Sequence, residues 1–297
     1  MTSSHTHATL MKEGLHPRWG LARRFAANRL AVVGLVTAIL LIVSAVAAPW
    51  LAPYSYAQPD YGDALQFPSA RHLMGTDSLG RDLFSRILYG GRVSLAVGLG
   101  VGLIGLAAGM TLGTLAGTFG GNLDYVIMRL VDVMYAFPGL LLVILIMVLL
   151  GPGLFNVFLA LSVQAWIESC RLTRGQILSL REREFVLASQ AMGASRSHII
   201  SHHLLPNTLT PLMVSVTLAI PVFIFGEAGL SFIGIGINPP TPSWGQMVGE
   251  NYRAMQAYWH LALFPALMIA ITTLAFTLVG EGLRVAFDPT QRASRRT

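Results

Sequence analysis

The chain has 297 residues, 54% of them hydrophobic and only 11% charged, with a mean hydropathy of +0.61. A soluble domain carries roughly 25% charged residues, so a soluble enzyme and a disordered scaffold are both excluded, and lipid-facing side chains must replace the missing surface charge. The net charge of +6 would suit nucleic acid, but the positive residues are sorted among the loops instead of gathered in one patch, which argues against a nucleic-acid partner.

A bilayer core of about 30 Å needs about 20 apolar helical residues. Charge-free windows place transmembrane helices at 30–50, 93–119 and 133–150, the last closed by Gly151-Pro152-Gly153, a breaker no continuous helix carries. A fourth helix starts near Leu154 with 14 uncharged residues before Glu168. It spans only if its last turns include Glu168 and Arg171. The fifth helix covers about 209–225 and the sixth 261–280. The expected fold is an all-α integral membrane protein with six transmembrane helices.

The loops alternate in charge. Of the 20 positive residues, 15 fall on one side, and the other side holds Arg71, Arg81, Arg86, Arg92 and Arg253. The first four of these share their loop with Asp60, Asp63, Asp77 and Asp82. The positive-inside rule then puts both termini in the cytoplasm. A cleaved signal peptide ending near Ala45-Val46-Ala47 is the rival reading, but the apolar stretch is longer than the roughly 7 to 15 residues of a signal sequence. The organisation expected is a basic cytoplasmic segment over 1–29, a first transmembrane helix over 30–52, an external loop over 53–92, a five-helix core over 93–284 and a cytoplasmic tail over 285–297.

In the second span Gly105, Gly109, Gly113 and Gly117 recur every four residues on one face, the pattern of close helix packing. The cytoplasmic stretch at about 175–207 is too long for a tight turn and too rich in helix formers for a floppy loop. Residues 181–192 read as a short helix whose Phe185, Ala188, Ala191 and Met192 make an apolar stripe. Gly193 allows a sharp change of direction, and Ser195 can cap a second short helix over 196–204, ended by Pro206. Such a stripe is covered either by the membrane surface or by a groove on a partner protein.

Phe185-Val-Leu-Ala-Ser-Gln-Ala-Met-Gly-Ala-Ser195 followed by His203-Leu-Leu-Pro-Asn207 resembles the EAA loop of ABC importer permeases. Ala188 matches that motif's first alanine, Gly193 its glycine, and Leu205-Pro206 its ending. Leu187 stands in place of its glutamate, Ser189 of its second alanine, and His203 of an apolar residue. Two further blocks narrow the resemblance to the C-type permease of the dipeptide, oligopeptide and nickel importer family. One is His72-Leu-Met-Gly-Thr-Asp-Ser-Leu-Gly-Arg-Asp82 with Ser85-Arg86 and Tyr89-Gly90. The other runs through Leu230-Ser-Phe-Ile-Gly-Ile-Gly236, Pro239-Pro-Thr-Pro-Ser-Trp-Gly245, Ala262-Leu-Phe-Pro265 and Gly280-Glu-Gly-Leu-Arg284 to Asp288-Pro289.

The resemblance implies a type I ABC importer permease fold in the bacterial inner membrane, with no catalysis of its own. It implies a second, B-type permease subunit, two ATPase subunits that bind ATP and Mg, an external substrate-binding protein, and a peptide as cargo. Nickel or haem is the alternative cargo. It also implies that Phe185, Ala188, Ser189, Met192, Gly193, Ala194, Leu205 and Pro206 contact the ATPases. In agreement, the chain contains no Gly-x-x-x-x-Gly-Lys-Ser/Thr to cradle a nucleotide phosphate. An ion-coupled secondary transporter would keep ionisable residues at mid-membrane, and the centres of all six expected spans lack them.

The ionisable residues near span ends carry two readings each. Glu168 and Arg171, an i, i+3 pair, either neutralise one another at an interface or act as a cytoplasmic gate. Glu227, at the outer end of the fifth span, either receives a peptide's amino terminus or pairs with Arg253 or an arginine of the partner permease. No catalytic, cofactor or metal residue is expected. His198, His202 and His203 sit on the cytoplasmic stretch, where solvation or partner contact outweighs metal ligation. Cys170 alone makes neither an intrachain disulfide nor a cysteine zinc site.

Overall fold

The computed structural model describes residues 17–287. Lys12, Arg292, Arg295, Arg296 and the Asp288-Pro289 pair lie outside the described residues. Among the described residues the structure is helical, and β pairing is confined to an isolated bridge between Thr76 and Asp82.

In chain order, α1 (Pro17–Ala27) precedes α2 (Arg29–Val46), whose first turn is capped by the Asn28 side chain accepting the Ala31 N–H at 3.2 Å. The short α3 (Ala48–Leu51) turns the chain into a largely irregular segment that ends at Asp82. The 37-residue α4 (Leu83–Phe119) is capped by Asp82, which accepts the Ser85 N–H at 2.8 Å. Gly120 and Gly121, with φ of 64° and 55°, reverse the chain into α5 (Gly121–Ala136), followed by α6 (Gly139–Leu150) and α7 (Leu154–Leu180). Then come α8 (Glu184–Ala191), α9 (Arg196–Ile199) and a π-helical turn (Ile200–Leu204) that runs without a break into α10 (Leu205–Phe232). The short α11 (Trp244–Asn251) and the final α12 (His260–Phe287) complete the fold.

Four helical stretches are long and apolar enough to cross a membrane: α2, α4, the continuous run from Arg196 to Phe232, and α12. The bent pair α5 and α6 makes a fifth. At 27 residues α7 is about 40 Å long, and its C-terminal half carries Glu168, Arg171 and Arg174.

Between helices that are all surrounded by lipid, burial of apolar surface gives little drive, so close backbone approach and interhelical hydrogen bonds hold the bundle. The glycine face of α4 lies against α7. A Cβ at Gly105 would sit 2.6 Å from the Ala165 carbonyl, at Gly109 2.6 Å from that of Trp166, and at Gly113 2.5 Å from that of Cys170. Every fourth residue of α4 is therefore the place where α7 touches backbone. Gly34 does the same for α2, where a Cβ would fall 2.7 Å from the Cβ of Leu278 on α12.

Three local expectations are corrected. The straight span over 133–150 is broken at Phe137-Pro138, where α5 and α6 meet at 89°. Proline denies its predecessor the helical region, and Phe137 is accordingly extended, with φ −89° and ψ 132°. Alone, α6 reaches only about 18 Å. Residues 83–92, expected as loop, are the first turns of α4. Pro206 does not end a helix. It occupies the first turn of α10 directly after the π-helical turn, a place where its missing N–H leaves no gap in a regular α-helical ladder.

Candidate functional site

Two regions hold the candidate functional side chains: the segment α8–α9 and a cavity between α5, α6, α7 and α10. On α8, Val186 and Ser189 are buried, and Val186 packs against Ile177, Ile199 and Leu204. The opposite side is bare. Phe185 is 45% exposed, Leu187 50% and Met192 82%, with Ala188 and Ala191 exposed beside them. The expected stripe thus exists, but it faces away from the chain's own core. Ser189 belongs to the inner face instead and is 5% exposed.

The turn after α8 has the geometry its glycine permits. Gly193 has φ 83°, its N–H donates to the Gln190 carbonyl at 2.9 Å, and the Ala194 N–H reaches back to the Ser189 carbonyl at 3.1 Å. Ser195 then caps α9, its hydroxyl accepting the His198 N–H at 3.3 Å. Ala194 and Leu205 are half-buried and Pro206 is exposed. The rings of His198 and His202 stack at 4.2 Å, and His203 meets Phe185 edge-on at 5.9 Å. Among the described residues no group of three or more His, Cys, Asp or Glu side chains is arranged to hold a metal ion.

A ladder of polar contacts ties α5 to α7. Arg174 grips Asp124 with Nε to Oδ1 at 2.5 Å and Nη2 to Oδ2 at 2.6 Å. Arg171 lies 3.6 Å from Asp132 and places its guanidinium over the Tyr135 ring, 4.5 Å from the centroid. The Tyr135 hydroxyl donates to Glu168 Oε2 at 2.6 Å. The expected Glu168–Arg171 pair is not formed. Both side chains are on one helix face, but α5 brings an acid to the arginine and a hydroxyl to the glutamate. Tyr135, Asp132 and Asp124 were invisible to local spacing rules, and the one available signal was Pro138, which marks the break that turns α5 toward α7.

Beside the outer rung of this ladder lies a cavity of about 610 Å³. Its walls are mostly apolar, with Phe137, Val143, Leu161 and Phe223 among them, and Gln164 and Ser215 add uncharged polar groups. Among the described residues that line it, Glu168 alone carries a formal charge.

Glu227 has a different environment from the one expected. It is fully buried and accepts hydrogen bonds from Ser94 Oγ at 2.9 Å and Ser231 Oγ at 2.8 Å. Ser94 Oγ also accepts the Trp244 N–H at 3.3 Å, so one carboxyl group joins α4, α10 and the start of α11. Arg253 does not reach it: that side chain donates to Tyr252 Oη at 2.8 Å, and both residues are exposed.

The external block from His72 to Arg86 folds into a buried knot of charges. Asp77 accepts hydrogen bonds from the Leu79 and Arg81 N–H groups at 2.9 Å each and from Arg81 Nε at 2.7 Å, and Arg86 Nη1 forms an ion pair with it at 3.3 Å. Asp82 binds His72 Nδ1 at 2.9 Å while capping α4, and Glu250 reaches Arg86 Nη2 at 3.1 Å. Each ionisable side chain of this cluster has a partner of the opposite type within the chain, acid with base, which makes the motif part of the architecture.

Residues 109–293 match the family described as the binding-protein-dependent transport system inner membrane component, and residues 18–68 match the N-terminal transmembrane domain of oligopeptide transport permease C. The chain is 42% identical to the oligopeptide transport system permease protein OppC of Bacillus subtilis, over 91% of this chain and 88% of that one. It is 43% identical to the dipeptide transport system permease protein DppC of the same organism, over 91% and 85%. Its identity to the glutathione transport system permease protein GsiD of Escherichia coli is 44%, over 92% and 90%. Among solved structures it resembles an inward-facing form of the MetNI methionine ABC transporter, with a TM-score of 0.57 at 19% identity over 69% of this chain and 98% of that one. That likeness concerns the fold alone, and the family match over 109–293 with the relatives above 40% identity carries the conclusion: the chain belongs to the family of binding-protein-dependent transport system inner membrane components.

Proposed function

We propose that this permease is the C-type subunit of an importer of short peptides. It crosses the bacterial inner membrane six times with both termini in the cytoplasm, and it forms half of a pathway completed by a B-type permease. Two ATPase subunits, which bind ATP and Mg, dock on the exposed side of α8, and an external binding protein delivers the peptide. The observation that carries this reading is the division of α8 into two faces. Val186 and Ser189 anchor the helix inward while Phe185, Leu187 and Met192 remain bare. A cytoplasmic helix that is fixed on one face and apolar on the other is built to receive a partner's groove. The peptide cargo is supported by the oligopeptide and dipeptide names of the relatives.

The test has two parts. A cysteine at exposed Ser69 should react with a membrane-impermeant thiol reagent in intact cells, and one at exposed Ser195 only after permeabilisation, with buried Cys170 silent in both. Reaction of both from outside would overturn the six-span topology. In proteoliposomes holding both permeases and the ATPases, uptake of radiolabelled trialanine should require the binding protein and ATP. Uptake independent of either would overturn the importer reading.

A further inference from the structure

We propose that Glu168 receives the protonated amino terminus of the passing peptide, with the Tyr135 hydroxyl holding the carboxylate in place. The inference rests on the peptide-importer reading above and names which chemical feature of the cargo this chain senses inside the membrane.

Three observations lead there. The cavity volume of about 610 Å³ is that of a ligand pocket, within the usual range of about 300–1,000 Å³. Its lining has a single formal charge, and that charge is negative. The nearest cation does not cancel it: Arg171 is turned to Asp132 at 3.6 Å and to the face of Tyr135. The three ionisable side chains Asp132, Glu168 and Arg171 therefore sum to one negative charge, placed on the exposed Glu168.

An ionised carboxylate offers about four acceptor sites. The Tyr135 hydroxyl takes one on Oε2, and no other side-chain donor within the described residues reaches Glu168. The remaining sites are free for an ammonium group, which brings three donors and a positive charge to a wall where the effective dielectric is below that of water. Gln164 and Ser215 are uncharged and suit peptide amides, and the apolar remainder tolerates varied side chains. Such a site attracts any peptide by the one group that all of them share. It repels free anions of the same size.

The test reads the cavity's charge directly. A cysteine replaces Ser215 in the complex with the second permease and the ATPases. Its reaction rates with a trimethylammonium and a sulfonate methanethiosulfonate are then compared. We expect the cation to be favoured with Glu168 present, the ratio to fall by about fivefold or more in Glu168→Gln, the order for one charge removed at several ångströms, and Glu168→Asp to restore it. Trialanine uptake should fall with the ratio in Glu168→Gln and recover in Glu168→Asp. An unchanged ratio, or a lowered ratio with unchanged uptake, would overturn the assignment. Failure of the unsubstituted complex to take up peptide strikes the importer reading instead, and the labelling ratio still decides whether Glu168 sets a preference for cations.

Discussion

Arg174 and Asp124 form a two-pronged ion pair that fastens the start of α5 to the inner end of α7. Parallel hydrogen bonds from a guanidinium to a carboxylate are directional, and lysine cannot reproduce them. Arg174→Lys should therefore lose most of the coupling between the two positions, as should Arg174→Ala. A double-mutant cycle with Asp124→Asn, read from thermal unfolding in detergent, should return about 1–2 kcal/mol, limited by the pair's partial exposure. Purely additive losses would mean that the pair does not fasten the helices.

The glycines of α4 and α7 predict opposite signs. Gly109→Val would drive its side chain into the Trp166 carbonyl and the Ser169 side chain, and overpacking of this kind costs about 1–3 kcal/mol even where the neighbours can shift. Here the Ser169 Cβ is closest and is followed by two backbone atoms, the Trp166 carbonyl oxygen at 2.6 Å and the Cys170 nitrogen at 2.7 Å, so the loss should lie at or above the upper end. Gly175, exposed on α7 with open space around it and no positive φ, should accept Gly175→Ala with a gain of about 0.5–1 kcal/mol from helix propensity. Thermal unfolding of the two variants checks both signs.

Glu227 is expected to act as a clamp. Glu227→Ala removes the acceptor from two buried hydroxyls and opens a cavity, and each orphaned group costs about 1–3 kcal/mol. Glu227→Gln keeps one acceptor oxygen and should lose much less. Because the contact runs through Ser94 to the first residue of α11, proteolysis between Asn238 and Ser243 should accelerate in Glu227→Ala and stay near the parent rate in Glu227→Gln. Equal rates in the parent and Glu227→Ala would place the stability of α11 elsewhere, for instance in the Trp244 indole bond to the Ile87 carbonyl at 3.0 Å.

What could be read before the structure, and what could not, follows from the range of each interaction. Helix-scale apolar windows and the four-residue glycine period are local, and α2, α4 and α12 were legible from them. The Gly193 turn and the Ser195 cap were legible for the same reason. The 89° break was missed because a hydropathy window is blind to backbone direction: residues 133–150 are charge-free whether or not Pro138 bends them. Glu168 was assigned its i, i+3 neighbour because only intrahelical neighbours are visible in a sequence, whereas its partner Tyr135 is 33 positions away. Pro206 was read as a stop because the rule assumes a regular α-helical ladder, and the preceding π-helical turn suspends it. On α8 the apolar stripe of Phe185, Ala188 and Met192 was legible as an exposed face, while the burial of Ser189 was not, because a motif match carries no information about which face of α8 is inward.

That division of α8 supplies the sharpest test of coupling. If the exposed face is the docking surface, substitutions there must weaken ATPase association without disturbing the permease itself, and substitutions on the buried face must do the reverse. Met192→Asp and Ala188→Asp put a charge into a contact that excludes water, at a cost of a few kcal/mol when unpaired. Each 1.4 kcal/mol is a factor of ten in association, so either variant should lose at least tenfold of the bound ATPase in a pull-down while unfolding at the parent temperature. Val186→Ala removes buried methyl groups from the cluster with Ile177, Ile199 and Leu204 and should lower stability by about 1–2 kcal/mol first, with ATPase binding weakened only as α8 loosens. Gly193→Val should resemble the buried class in mechanism and the exposed class in outcome: φ 83° is strained for a β-branched residue, so the turn shifts and carries the docking face with it. Normal ATPase association in Met192→Asp and Ala188→Asp together would remove α8 as the docking helix. Loss of association in which those two variants also unfold early would show that the outer face supports the fold, and that the division into two faces has no bearing on coupling.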